Sequence, residues 1–197
     1  MILEVLAASA GLGALAFVIG RRARQRRRTA ARAATARSGA AGTATPRGLR
    51  VGDVLLDADA EHWLAGALHL EEDGLVMRLF RCPGHATAPW LAQLDAAGDD
   101  LARLHPTTEV PDGAVPDALP VAGLRYALRR RGEARVTREG SDVPRGVYRS
   151  RYIELRGPGG RALLVLDLDD GTRLALVGER VERERLDLLP GGDAPER

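Results

Sequence analysis

The chain has 197 residues, 29 of them basic and 27 acidic, for a formal net charge of +2. The charge is unevenly spread: residues 1–50 hold ten arginines against one acid, Glu4, and the rest hold 19 arginines against 26 acids. A mildly acidic bulk argues against a domain that grips phosphates over a broad basic face, and the single cysteine, Cys82, excludes an internal disulfide.

One thiol suits a reducing compartment. Lysine and asparagine are absent, while Ala, Arg, Gly and Leu abound. A GC-rich coding genome accounts for this bias, so the choice of Arg over Lys is not itself a recognition signal.

From the start of the chain, Ile2 to Gly20 reads ILEVLAASAGLGALAFVIG, with Glu4 its only charge. At about 1.5 Å per residue such a helix is just under about 30 Å long, close to the hydrocarbon thickness of a bilayer. Arg21, Arg22, Arg24, Arg26, Arg27 and Arg28 come directly after it. Export signals place positive charge before the apolar core; here it comes after. The positive-inside rule then predicts a transmembrane signal-anchor helix over residues 1–20, in a single-pass protein of the cell membrane with its C-terminal part cytoplasmic. The six arginines are expected to contact anionic lipid at the membrane surface, each contributing about 1 kcal/mol. No aromatic residues interleave with them, which argues against a single-stranded nucleic-acid platform. Residues 21–48 read as a basic juxtamembrane segment and linker. The flexible stretch from Ser38 to Gly48 reaches about 15–20 Å on average, which keeps the β-rich part of the chain near the membrane.

Residues 49–191 change character: segments are short and turn signals frequent. Leu49 to Leu56 opens a strand through a Gly-Asp turn. His62 to Leu70 reads as a strand, and Asp73-Gly74 turns it into Leu75 to Arg81, where Leu75, Met77 and Leu79 alternate. Trp90-Leu91 restarts a short strand, although the leucine spacing from Trp90 to Leu104 is also compatible with helix. Pro106 to Pro120 holds four prolines and reads as a connection between two lobes, at about 49–105 and 121–191. In the second lobe Leu124, Tyr126 and Leu128 alternate against Arg125 and Arg129. Gly132 leads into Glu133 to Arg138, and Val147 to Arg156 forms a strand ended by Gly157-Pro158-Gly159-Gly160. Arg161 to Asp169 meets Thr172 to Gly178 across Asp170-Gly171. A last short strand lies in VERERLDLLPGG, and residues 192–197 are a polar tail. The expected fold is all-β: an antiparallel meander forming a sandwich or partly open barrel.

These segments, taken in order, resemble bacterial membrane-anchored proteins of the domain of unknown function 4178 family, especially those of high-GC Gram-positive bacteria. The resemblance rests on the N-terminal span with its trailing arginines, on LRVGDVLLDADAEHWLAGALHLEEDG and APWLAQLD, and on YRSRYIELRGPGG, LDDGTRLALVGERV and LDLLPG. It covers about Leu49 to Gly191 plus the anchor. The chain departs from the pattern at Val76-Met77-Arg78, where family members often carry Trp and Glu, and at Arg173, where Trp is common. The resemblance implies no catalytic activity, and an association with membrane stress.

Little catalytic or ligand-binding chemistry is legible. Cys82-Pro83-Gly84-His85 lacks the partners for a tetrahedral metal site; the other histidines are His62, His69 and His105. Gly157 to Gly160 lacks the lysine and the succeeding helix of a phosphate loop. Asp167, Asp169 and Asp170 crowd a hairpin tip without EF-hand spacing. No catalytic, cofactor or metal site is therefore expected. Tyr126, Tyr148 and Tyr152, with arginines nearby, are the candidate interaction surface. The leading expectation is a non-enzymatic protein: a membrane-anchored β-rich binding or scaffolding domain for a protein partner, with no nucleic-acid role. The alternative is a small-molecule or lipid-binding module with a pocket between the two lobes.

Overall fold

The computed structural model describes residues 48–57, 60–84 and 89–191. The expected anchor, the arginine run and the tail lie outside the described residues. Among the described residues, no helix is long and apolar enough to cross a membrane.

The described chain is all-β. Its strands are β1 (Val54–Asp57), β2 (Ala60–Trp63), β3 (Gly66–Glu72), β4 (Leu75–Arg81), β5 (Trp90–Gln93), β6 (Leu101–Pro106), β7 (Ala118–Val121), β8 (Leu124–Gly140), β9 (Arg149–Arg156), β10 (Arg161–Leu168), β11 (Arg173–Val181) and β12 (Leu186–Leu189). Strands β3-β4-β5-β6-β11-β10-β9-β8 are hydrogen-bonded in that order, and β3 pairs with β8 to close an eight-stranded antiparallel barrel. The two strand-rich stretches thus each supply four consecutive strands to one barrel, closed rather than partly open. Closure removes the unpaired edges that an open sheet would present.

The turns form where expected. Asp73 and Gly74 both take positive φ, 43° and 86°, and join β3 to β4 in a two-residue hairpin, as a primed turn requires. Asp170-Gly171 lies in the β10–β11 turn. Trp90 to Leu104 contains no helix: β5 and β6 pair across it. The expected strand from His62 to Leu70 is broken at Leu64–Ala65, where the chain leaves a small sheet of order β12-β1-β2 and enters the barrel.

Three apolar cores result. Inside the barrel lie Leu68, Leu70, Met77, Leu79, Leu164, Leu166, Leu168 and Leu176, with Trp90 and Tyr152 among them. The alternation of Leu75, Met77 and Leu79 therefore faces inward, as does that of the β10–β11 leucines. Beneath the small sheet, Leu55, Leu64, Phe80, Leu91 and Leu101 form a second core outside the wall. The third core lies under the proline-rich segment. There Val110, Val115 and Leu119 cover Leu155, Leu163, Val165 and Val177 on the outer face of β9, β10 and β11. That segment does not link two lobes. It is a flap on the barrel, fastened by Arg173, whose guanidinium donates to the carbonyls of Pro111 (2.7 Å) and Gly113 (2.6 Å) while pairing with Asp167.

Candidate functional site

The barrel is stopped at both ends. At one end Val143 and Val147, from the β8–β9 loop, join the interior core. At the other, the inner face of β9 turns polar: Tyr152 is followed by Glu154 and Arg156, two residues apart and so on one side of the strand. Glu154 is 0% exposed. It accepts from Arg130 Nε at 2.5 Å, Arg156 Nη2 at 2.7 Å and Arg129 Nη1 at 2.9 Å. Asp100, buried just before β6, accepts from Arg156 Nη2 at 2.5 Å, Arg180 Nε at 2.8 Å and Arg129 Nη1 at 2.9 Å. Four guanidinium groups thus share two carboxylates.

Local irregularity makes this cluster possible. On a regular strand Arg129 and Arg130 would point to opposite faces. The β8–β9 register slips between Leu128 and Arg130, leaving Arg129 as the extra residue of a β-bulge, and the bulge turns both side chains toward Glu154. Asp100 is set by its own loop: the Asp95 carboxylate accepts from the amides of Gly98 (2.9 Å) and Asp100 (3.2 Å). Burial pushes the Asp100 carboxyl up, but hydrogen bonds from Arg156 and Arg129 and the charges of Arg156 and Arg180 outweigh it and hold it below its ordinary range. Asp100 therefore stabilises the fold fully above the ordinary carboxylate range, and that contribution is lost as pH falls through its folded value.

Glu72 extends the polar mouth. It accepts from the Tyr152 hydroxyl and from the Glu133 amide. Burial first, and then this bond to Glu72, push the Tyr152 phenol up to about 12. Gly132 leaves room for it: a Cβ there would stand 2.3 Å from Glu72 Oε2, so the carboxylate would have to move. None of these carboxylate–arginine partners is apparent from sequence spacing. In the sequence Tyr152, Glu154 and Arg156 alternate with Ile153 and Leu155, a pattern that reads as a half-buried strand with its charges outward and so conceals the burial of Glu154.

The three tyrosines do not share a surface, which corrects the expectation. Tyr126 is buried in the outer core with Leu119 and Leu163, and Tyr152 is inside the barrel. Only Tyr148 faces solvent, 70% exposed. Its amide and that of Arg149 donate to the Asp169 carboxylate at 3.2 Å, so the tip is fixed to the β10–β11 turn. The acids of that turn are otherwise occupied as well: Asp167 pairs with Arg173 at 2.6 Å and Asp170 accepts from the Thr172 amide at 2.8 Å.

Cys82 packs in the outer core beside Phe80 and Leu91. Burial pushes its thiol up to about 12, with the Arg81 charge opposing. It is therefore protonated and unreactive while the barrel is folded. A thiol-specific disulfide reagent at about pH 8 should modify it only as fast as the fold opens, and urea should accelerate labelling. Rapid labelling in native buffer would show that the thiol is accessible. Among the described residues, no three His, Cys, Asp or Glu side chains form a group able to hold a metal ion; His85 lies outside them.

No family model, curated protein or solved structure matches this chain.

Proposed function

We propose that the chain is a single-span membrane protein that holds a non-catalytic β-barrel binding domain at the cytoplasmic face of the membrane. The observation that carries this reading is the stopped and filled barrel. With side chains packing its interior and plugs at both ends, the domain is suited to meet a partner through its outer faces and loops rather than to enclose a ligand. Tyr148, with Arg145 on the same loop and Arg149 at the start of β9, is the contact we assign to a protein partner, because an exposed tyrosine on a held loop is presented at little entropic cost.

The order of the N-terminal sequence, apolar residues and then arginines, supports the tether. So does the compact unit that starts at Gly48, directly after the linker. The ordered motifs resembling the domain of unknown function 4178 family support the same arrangement, and with it a role in membrane stress. Tethering raises the local concentration of a partner that also meets the membrane.

The test compares full-length protein, a version lacking residues 1–28, and Tyr148→Ser by crosslinked co-purification. Full-length and Tyr148→Ser protein should fractionate with membranes, the truncated version should not, and only Tyr148→Ser should lose the enriched partner while staying tethered. A soluble full-length protein overturns the tether; an unchanged partner set with Tyr148→Ser overturns the assigned contact.

A further inference from the structure

Outside the polar mouth, Arg78 is the arginine among the described residues that buries a guanidinium nitrogen without a hydrogen bond. Arg78 lies on the outward face of β4, directly across from His69 on β3. Its Nε is buried without a hydrogen-bond partner, and among the described residues Arg78 pairs with no carboxylate. It borders a concavity of about 530 Å³ lined by Gly48, Leu49, Arg50, His69, Arg78 and Glu139.

The walls of this groove are fixed. Leu49 is buried in the core beneath the small sheet, and the amide of Arg50 donates to Asp53 at 2.9 Å, which pins the strip that carries Arg50. The floor is the β4–β3–β8 wall of the barrel, where His69 faces Arg78 on one side and Thr137 on the other. Gly48 lies beside the guanidinium: a Cβ there would be in ordinary contact with Arg78 Nη1, at 3.5 Å. The one carboxylate of the groove, Glu139, lies 3.3 Å from His69 Nε2. Two arginines therefore meet a single acid, and that acid is directed to the imidazole.

A guanidinium so placed needs an anionic acceptor, and its planar fork matches two oxygens of an oxyanion. Arg78 from the floor and Arg50 from the wall set two guanidinium groups against one carboxylate in this groove, an excess of positive charge that the higher negative charge of a phosphate answers better than a carboxylate does. We propose that this groove is a binding site for a phosphate group, held chiefly by Arg78 with Arg50 as a further donor. The site does not depend on the assigned Tyr148 contact. A free phosphate compound and a phospholipid headgroup share this chemistry.

Full-length protein in neutral detergent micelles separates the two sources. The Arg78 Nε–H resonance, assigned by its absence in Arg78→Gln, is followed while inorganic phosphate is added, and separately while phosphatidic acid is mixed into the micelles. A saturable shift with inorganic phosphate identifies a free phosphate site; a shift with phosphatidic acid alone identifies a headgroup site. In whichever arm responds, binding measured by calorimetry should weaken at least about tenfold in Arg78→Gln. Arg78→Lys, which keeps the charge and loses the fork, should retain part of the binding, and Arg125→Gln should retain all of it. If the Arg78 resonance moves in neither arm, the proposal is overturned; should Arg78→Gln fail to fold, the resonance is assigned by its absence in Arg78→Lys instead. Equal weakening by Arg125→Gln overturns it as well, since general surface charge would then be the cause.

Discussion

Replacing Glu154 by alanine should destabilise the barrel by about 3–5 kcal/mol, the cost of removing one partner from a buried charge network and leaving the others uncompensated. Glu154 is wholly buried and accepts from three arginines. Two of them, Arg130 and Arg156, are mostly buried themselves, with side chains 22% and 20% exposed. Without Glu154, Arg130 retains only its bond to the Leu94 carbonyl. Arg129 is a contrasting case, because its side chain is 43% exposed; Arg129→Ala should cost no more than about 1 kcal/mol. A further variant separates charge from shape. Glu154→Leu combined with Arg130→Met removes opposite charges together and should recover part of the loss, as apolar replacements of buried pairs often do. Urea unfolding followed by circular dichroism measures all three. Comparable losses for Glu154→Ala and Arg129→Ala would show that the mouth is hydrated and the network superficial.

The bulge that assembles this network also limited what could be read from sequence. Along β8, Leu124 and Tyr126 pack on the outer core, whereas Ala134 and Val136 pack inside the barrel. All four are even-numbered, and one extra residue at position 129 exchanges the faces between them. A strict two-residue pattern would read the strand as one face throughout and so hides the turn of Arg129 and Arg130 toward Glu154; the surface expectation for Tyr126 rests on its residue type, and its alternation with Leu124 and Leu128 already places it on the apolar face. The hairpins were legible because their chemistry is local: Asp73-Gly74 supplies the positive φ angles that its turn demands. The inward leucines of β4, β10 and β11 were legible for a related reason, because regular strands keep their period. Barrel closure was not, because it pairs Gly66 with Gly140 and Leu176 with Pro106, residues with no local relation. The proline-rich segment misled in the same way. Its prolines do interrupt regular structure, but Val110 and Val115 between them carry enough apolar surface to bind it to the barrel wall.

Closure itself makes the second large prediction. The two four-stranded meanders, β3 to β6 and β8 to β11, meet at two seams, β3–β8 and β6–β11. Each has a glycine where the backbones come closest. At Gly66 a Cβ would stand 1.9 Å from the Ser141 carbonyl oxygen, and at Gly178 it would stand 1.9 Å from that of Arg103. Main chain cannot swing aside as a side-chain tip can, so the seam must part. Beside Gly66, the Ser141 amide donates to the Ala65 carbonyl at 2.9 Å, and parting the strands would break that bond too. Bringing β3 to β8 closes a long loop at an entropic cost that only close pairing along the seam offsets. Gly66→Ala and Gly178→Ala should therefore each cost at least about 2–3 kcal/mol, the upper part of the range for overpacked sites. Gly171→Ala is the comparison, with φ at +85° and nothing within 4 Å of its Cβ; it should cost about 1–2 kcal/mol from backbone strain alone. Hydrogen exchange locates the damage. In Gly66→Ala the Ser141 amide should lose protection before amides of the β10–β11 hairpin, because the break is confined to one seam. If Gly66→Ala is no costlier than Gly171→Ala, or if protection falls uniformly, then close approach at the glycines is not what holds the two halves of the barrel together.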